Sequence, residues 1–367
     1  MRAPQPAEAR SLMASALPMA PAQASAPALS ATEIASLQRE VRALAAERNA
    51  VILAHNYQLP EVQQVADYVG DSLGLSRRAA GSDSDTIVFC GVHFMAETAS
   101  VLCPDKTVLI PDPDAGCSLA ASIDAEQLRD WKARYPDGVV VMYVNTTAEV
   151  KALTDYCCTS ANAVEVVRHV LATHGEQTEI LFGPDMWLGA YVERQLGRRM
   201  HVWDGECHVH AGIRPADIEA TRAAHPGAEF LIHPECGCTT SVMEYVAAGD
   251  VSAEGVHMLS TGGMLSYAHA AEREVKRAGG QPGNGSAAGP MREAVVATET
   301  GMLYPLQMAA PDVRFIAANP EASCVYMKMI TLPKLRDSLR HMRHEVRVPE
   351  EIASRARVPI DRMVAIG

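Results

Sequence analysis

Residues suited to moving protons or holding anions recur along this chain at the ends of short apolar runs. His55, Asn56 and Tyr57 follow Val51-Ile52-Leu53-Ala54, and Tyr143, Val144 and Asn145 close the run Val139-Val140-Val141-Met142. His233, Pro234 and Glu235 follow Phe230-Leu231-Ile232, and Ser260 and Thr261 follow Val256-His257-Met258-Leu259. Four more runs break into Gly91-Val92-His93, Gly183-Pro184-Asp185, Thr298-Glu299-Thr300-Gly301 and Asn319-Pro320. Glutamate, tyrosine and histidine serve as general acids and bases. Serine, threonine and asparagine donate hydrogen bonds to carboxylate or phosphate groups. A single turn of this kind is ordinary loop chemistry. Eight that together carry His, Tyr, Asn, Glu, Ser and Thr point to a shared site.

Nine cysteines add a second possibility, since reduced thiols bind metals: Cys90, Cys103, Cys117, Cys157, Cys158, Cys207, Cys236, Cys238 and Cys324. The count is odd and the chain is large, so a disulfide framework is not expected. No two cysteines stand in a CxxC spacing, which removes the zinc-ribbon and thioredoxin-like readings. Cys90 and Cys103 sit in apolar contexts and read as core residues. Cys157 and Cys158 are adjacent and cannot chelate one metal in a relaxed tetrahedral geometry. Cys236 and Cys238 flank Gly237 directly after Glu235 and could approach the site.

The elements that must position these residues are short apolar runs of strand length separated by stretches of helical length. Ile34, Leu37, Val41 and Leu44 recur at helical spacing from near Ala31, with Ser30 or Thr32 as N-cap; residues 148–153 and 161–173 are further helices. Continuous apolar strands alternating with helices imply an α/β protein with parallel sheets covered on both faces. In such sheets ligands bind beyond the carboxyl ends of the strands, where the polar residues above stand.

At 367 residues the chain suits two or three domains, at about 100–200 residues each. Its hydrophobic fraction of 48% is enough for a large core. A net charge of -12 disfavours nucleic acid and anionic membranes as partners, and aromatics at 5% argue against base-stacking platforms. An anionic substrate would therefore meet backbone N–H groups, hydroxyls or a metal rather than a basic patch. No apolar run reaches the roughly 18 residues of a membrane span. Residues 1–30 are rich in Ala, Pro and Ser without a continuous apolar stretch, and read as a disordered leader rather than a secretory signal. A cytoplasmic location is expected. Residues 277–290 are Gly-rich and read as a flexible surface insertion without a phosphate-binding loop.

Nine segments, in order, carry a family resemblance: AHNYQLPEVQQVADYVGDSLGLS, CGVHFMAETASVLCPDKTVLIPDPDAGCSLA, MYVNTTAEVKALTDYCCTSANA, PDMWLGAYV, DGECHVH, FLIHPECG, LSTGGM, TETGMLYPL and NPEASCVYMKMITLPKL. They resemble quinolinate synthase from about Ala31 to about Ser338. The resemblance implies three similar three-layer α/β domains around a pseudo-threefold axis, with the active site and a metal cluster at the centre. The expected divisions are residues 31–121, 122–209 and 210–340, followed by a C-terminal tail at 341–367. Each domain would give one cysteine to a [4Fe–4S] cluster: Cys117 from DAGCSLA, Cys207 from DGECHVH and Cys324 from ASCVYMKM. Three thiolates would leave one iron open as a Lewis acid.

The resemblance further implies an activity, the condensation of iminoaspartate with dihydroxyacetone phosphate to quinolinate in de novo NAD biosynthesis. Glu235, Tyr57, Tyr143 and His233 would move protons. His55, Ser72, Tyr143, Asn145, Ser160, His233, Glu235, Ser260 and Thr261 would hold substrate. An L-aspartate oxidase or aspartate dehydrogenase is the expected functional partner. His208 and His210 beside Cys207 stay open between support of the site and surface positions. Two other classes compete: an aldolase-like or hydrolytic enzyme using zinc with Cys and His ligands, and an Fe–S sensor or scaffold. A sensor would usually show a DNA-binding or partner module, and neither a basic patch nor a helix-turn-helix pattern is evident.

Overall fold

A computed structural model describes residues 29–248, 255–277 and 292–367. The leader at residues 1–28 and nearly all of the Gly-rich segment, residues 278–291, lie outside the described residues. The chain enters through a helix, Ala31–Glu47, whose Ser30 cap accepts from Glu33 N–H while the Glu33 side chain reaches back to Ser30 N–H. Both faces of that exchange satisfy backbone donors that a helix start leaves free.

Among the described residues twelve strands follow: β1 Ala50–His55, β2 Tyr68–Gly70, β3 Thr86–Cys90, β4 Thr107–Leu109, β5 Val139–Tyr143, β6 Tyr156–Cys158, β7 Ile180–Gly183, β8 His201–Val202, β9 Glu229–Ile232, β10 Val256–Met258, β11 Arg292–Ala297 and β12 Val313–Ala317. They form three four-stranded sheets, β2-β1-β3-β4, β6-β5-β7-β8 and β10-β9-β11-β12, with every pair parallel. The order second-first-third-fourth is the same in all three. The fold is α/β, as the alternation of apolar runs with helices predicts, and it is built from one unit used three times.

The apolar runs predict β1, β3, β5, β7, β9 and β11, the inner pair of each sheet, and also the edge strands β10 and β12 of the third. Central strands such as β3 and β5 are buried along their whole length, which is why they carry unbroken runs of Val, Ile and Phe. The runs miss β2, β4, β6 and β8. Each of these is an edge strand of two or three residues, too short to show a pattern.

Residues 341–367 do more than trail the third sheet. Val346 N–H donates to Val108 O, and the helix Glu350–Ala365 packs on helices His93–Leu102 and Ala148–Lys151 and on β6. Asn162 donates from Nδ2 to the carbonyls of Met363 and Ile366. The chain end therefore joins the first unit to the second. The helix just before it, Leu332–His341, packs against Ala31–Glu47 of the first unit.

Candidate active site

Each sheet sends its strand ends toward one cavity. From β1 come His55 and Tyr57; from β5, Tyr143 and Asn145; from β9, His233 and Glu235. Ser72, Ser160 and Ser260 each stand two residues past the second strand of their unit, since β2, β6 and β10 end at Gly70, Cys158 and Met258. Ser72 and Ser160 line the cavity with Thr261, but Ser260 does not. Its Oγ accepts Gly263 N–H at 3.2 Å, at the start of helix Thr261–Arg277. That helix start lies against Asp71, because a Cβ on Gly262 would meet Asp71 Oδ2 at 2.7 Å. The first and third units thus meet beside Ser72 and Thr261. Among the described residues, the lining contains no Lys or Arg; its donors are hydroxyls, amides and imidazoles.

Two of the four lining histidines, His55 and His233, are set alike. Tyr57 N–H donates to His55 Nδ1 at 3.2 Å, and Glu235 N–H donates to His233 Nδ1 at 3.4 Å. With Nδ1 accepting, a neutral imidazole carries its proton on Nε2. Burial pushes both rings down to about 3, further than the Glu235 charge pulls them up. At neutral pH both are uncharged donors through Nε2, and His233 Nε2 lies 3.1 Å from Ser160 Oγ.

Around Glu235 the polar side chains form a continuous line. Tyr57 OH is 2.5 Å from Thr298 Oγ1, which is 2.8 Å from His210 Nε2. His210 Nδ1 lies 3.0 Å from Glu235 Oε2, at an angle that makes no hydrogen bond. The His210 ring stacks on His233 with centroids 4.7 Å apart. Tyr143 is buried and lines the same cavity as Glu235 and Ser160. Burial alone would push the Glu235 carboxyl up. The field of His233 and then of His210 outweighs it and leaves the carboxyl low, at about 2. Burial, then the Glu235 charge, pushes both tyrosines well above 10. An ionised carboxylate in a buried site thus faces two protonated phenols. Glu235 Oε1 and Asn145 Oδ1 are buried with no hydrogen-bond partner, so the cavity holds acceptors that a ligand can satisfy.

Cys117, Cys207 and Cys324 line the same cavity, one from each unit beyond the fourth strand. Of the nine cysteines these three are partly exposed and the other six are buried. Cys236 and Cys238 pack into the core beneath the third sheet and do not line the cavity. The three lining cysteines also share a local geometry. The carbonyls of Cys117, Cys207 and Cys324 accept the N–H four residues on, from Ala121, Ala211 and Lys328. Each therefore opens a helical turn, where a thiolate is favoured by the N–H groups that follow. Burial works against this, raising Cys117 to about 12 and Cys324 to about 11, and Cys207 well above 9. Their mutual repulsion adds to it. Three thiols that repel one another when ionised fit a cationic group that takes all three. A smaller donor set overlaps this one: Cys207, His210 and Glu235 offer ligand atoms within 4.8 Å of one another.

Sequence reading missed Thr298, Asp71 and Glu299 as lining or contacting residues, and left His210 open. His210 is buried within the site, and His208 lies at its rim, its Nδ1 2.7 Å from Ser118 Oγ. The detectable signal was position. Asp185 and Glu299 both stand two residues past the third strand of their units, after Gly183 and Ala297, and both are fully buried acids. Among the described residues, no helix is long and apolar enough to cross a membrane.

Comparison with known proteins finds matches along most of the chain. A family model described as Quinolinate synthetase A protein matches residues 39–278 and 284–365. The gap at 279–283 falls inside the Gly-rich segment, and the match runs past Ser338 to the C-terminal helix. The quinolinate synthase of Thermus thermophilus is 55% identical over 332 residues, covering 90% of this chain and 98% of that protein. A relative of the same description from a Mycobacterium species is 55% identical over 329 residues, 89% of this chain and 91% of its own. The Mycobacterium tuberculosis relative is 54% identical over 329 residues, 89% of this chain and 88% of its own.

Proposed function

Because this chain belongs to the quinolinate synthase family, we propose that it condenses iminoaspartate with dihydroxyacetone phosphate to quinolinate, phosphate and water. The observation that carries this reading is the set of three partly exposed cysteines, one per unit, opening on the cavity that also holds Glu235, Tyr57 and Tyr143. Held by the thiolates of Cys117, Cys207 and Cys324, a [4Fe–4S] cluster would supply a Lewis acid for a substrate oxygen, since three protein ligands leave one iron without one.

The chain's own residues account for the rest. The reaction must form a C–C bond, release phosphate, close a ring through C=N and lose two waters, and each step moves protons. Glu235 Oε1 is buried without a partner and takes a proton from substrate as general base. Tyr143, which lines the cavity with Glu235, and Tyr57, hydrogen-bonded to Thr298, return protons to leaving oxygens. His55 and His233 donate from neutral Nε2 to substrate carboxylates, with Asn145, Ser72, Ser160 and Thr261 completing the donors. Ser260 acts through the helix start it caps. Such an enzyme works in the cytoplasm in de novo NAD biosynthesis, fed by an L-aspartate oxidase or aspartate dehydrogenase that makes its imine.

Anaerobic incubation with an iminoaspartate source and dihydroxyacetone phosphate should yield pyridine-2,3-dicarboxylate. No product from iron-replete protein would refute the reading. The overlapping Cys207–His210–Glu235 set favours a second reading, a single zinc ion in a hydrolytic or aldolase-like site. A brown, iron-bearing preparation decides for the cluster, and a colourless one with bound zinc for the alternative.

A further inference from the structure

Glu299 is fully buried, lines the cavity and takes no part in the chemistry above. Its Oε1 accepts the backbone N–H of Cys324 at 3.0 Å, and its Oε2 accepts Gly301 N–H at 2.7 Å. Lys328 Nζ lies 3.0 Å from Oε1 and 3.3 Å from Oε2. The same ammonium donates to the carbonyl of Tyr57. One carboxylate thus grips the loop that carries Cys324, and one lysine ties that carboxylate to the first unit at Tyr57.

Gly301 gives an independent sign that this contact is close. A Cβ there would meet Glu299 Oε2, Lys328 Nζ and Tyr57 O, each at 2.7 Å. The backbone at 301 passes so near the three groups that any side chain would push them apart. The second unit has a buried acid at the corresponding place, Asp185, but its Oδ1 accepts Leu188 N–H at 2.7 Å and its Oδ2 has no partner. In the first unit the residue two past β3 is Val92, so among the three units the grip on the cysteine loop is a feature of the third.

We propose that Glu299 and Lys328 are a positioning pair that fixes Cys324 and Tyr57 relative to each other. It rests on the proposed role of Cys324 as a cluster ligand and of Tyr57 in proton transfer. A buried carboxylate satisfied by two N–H groups and an ammonium is rigid. Gln in its place has one acceptor oxygen, so its NH2 must face either Cys324 N–H or Gly301 N–H.

The test compares Glu299→Gln, Lys328→Met and Gly301→Ala with the parent, as full-length protein purified anaerobically. Hydrogen exchange of the peptide spanning 320–330 should speed up in all three. Iron release to a chelator should quicken, and kcat should fall by about 10–100-fold, the usual cost of losing a group that orients a ligand. KM should stay within about threefold, because the binding side chains are untouched. In a Tyr57→Phe background the loss from Lys328→Met should shrink by at least about threefold, as residues acting through one contact are not additive. Unchanged exchange at 320–330, KM rising with kcat intact, or additive losses would each overturn the proposal. If Lys328→Met fails to fold, Gly301→Ala, which keeps both charges, decides on the same readouts. A parent without iron refutes the cluster reading instead, while the exchange measurement needs no metal and still decides the brace.

Discussion

Replacing Glu235 by Gln removes a charge and keeps a shape, and the site makes the consequence calculable. The side chain is 2% exposed and its Oε2 faces His210 Nδ1 at 3.0 Å. Gln fills the same volume, so no cavity opens and the strand end does not move. Basicity is lost entirely. A general acid–base group contributes about 10²–10⁴-fold, or roughly 3–5 kcal/mol of barrier. The lower bound applies if Tyr57 and Tyr143 can take over part of the proton traffic. Glu235 raises both phenols, so removing its charge makes them easier to ionise and works in that direction. Turnover should therefore fall at least about a hundredfold, with iron content unchanged. The assay is anaerobic quinolinate formation, with iron and sulfide measured on the same sample. Near-normal turnover with iron retained would move the base to Tyr57 or Tyr143. Loss of iron would make Glu235 a metal ligand, as its place beside Cys207 and His210 allows.

Three further outcomes follow from the same geometry. Changing each cysteine to Ala should abolish bound iron at Cys117, Cys207 and Cys324 only, and comparable loss at Cys236 or Cys238 would sink the ligand assignment. Activity and cluster absorbance should decay together in air, because an iron lacking a protein ligand is open to oxidation; full activity after bleaching would refute the Lewis-acid role. His55 and His233 sit at about 3 in the fold against an ordinary 6.5, so below pH 6.5 the unfolded chain binds more protons. Their contribution is complete above about pH 6.5 and declines on acidification by about 1.4 kcal/mol per pH unit for each histidine. Urea midpoints that stay flat from pH 6.5 to 5.5 would contradict it.

What the sequence makes legible depends on how local the cause is. An inner strand such as β3 is buried on both faces, and four apolar residues in a row, Ile87 to Cys90, declare it. An edge strand such as β8, His201–Val202, owes its existence to pairing with β7, and nothing in two residues announces that. The cysteines are further from local legibility. Cys117, Cys207 and Cys324 are scattered along the chain, and resemblance alone singles them out. In the structure their shared helical turn and partial exposure would single them out without it. Glu299 and Thr298 were in plain view as a strand-end turn, but the contacts that give them meaning come from Cys324, Tyr57 and His210.

Repetition explains how one topology carries different chemistry. All three sheets run second-first-third-fourth, so each delivers side chains at the same places: past the first strand, past the second, and beyond the fourth. The fourth position is kept alike, with a cysteine opening a helical turn in every unit. The second is a serine in every unit, yet only Ser72 and Ser160 reach the cavity. The first diverges most: His55 and Tyr57, Tyr143 and Asn145, His233 and Glu235. A cationic group at the centre asks the same thing of each unit, a thiolate at a fixed distance. An asymmetric substrate asks different things, a base on one side and phenols on others. On the proposed reading, the positions that would face the metal are therefore uniform, and those that would face the substrate have separated into donors and acceptors.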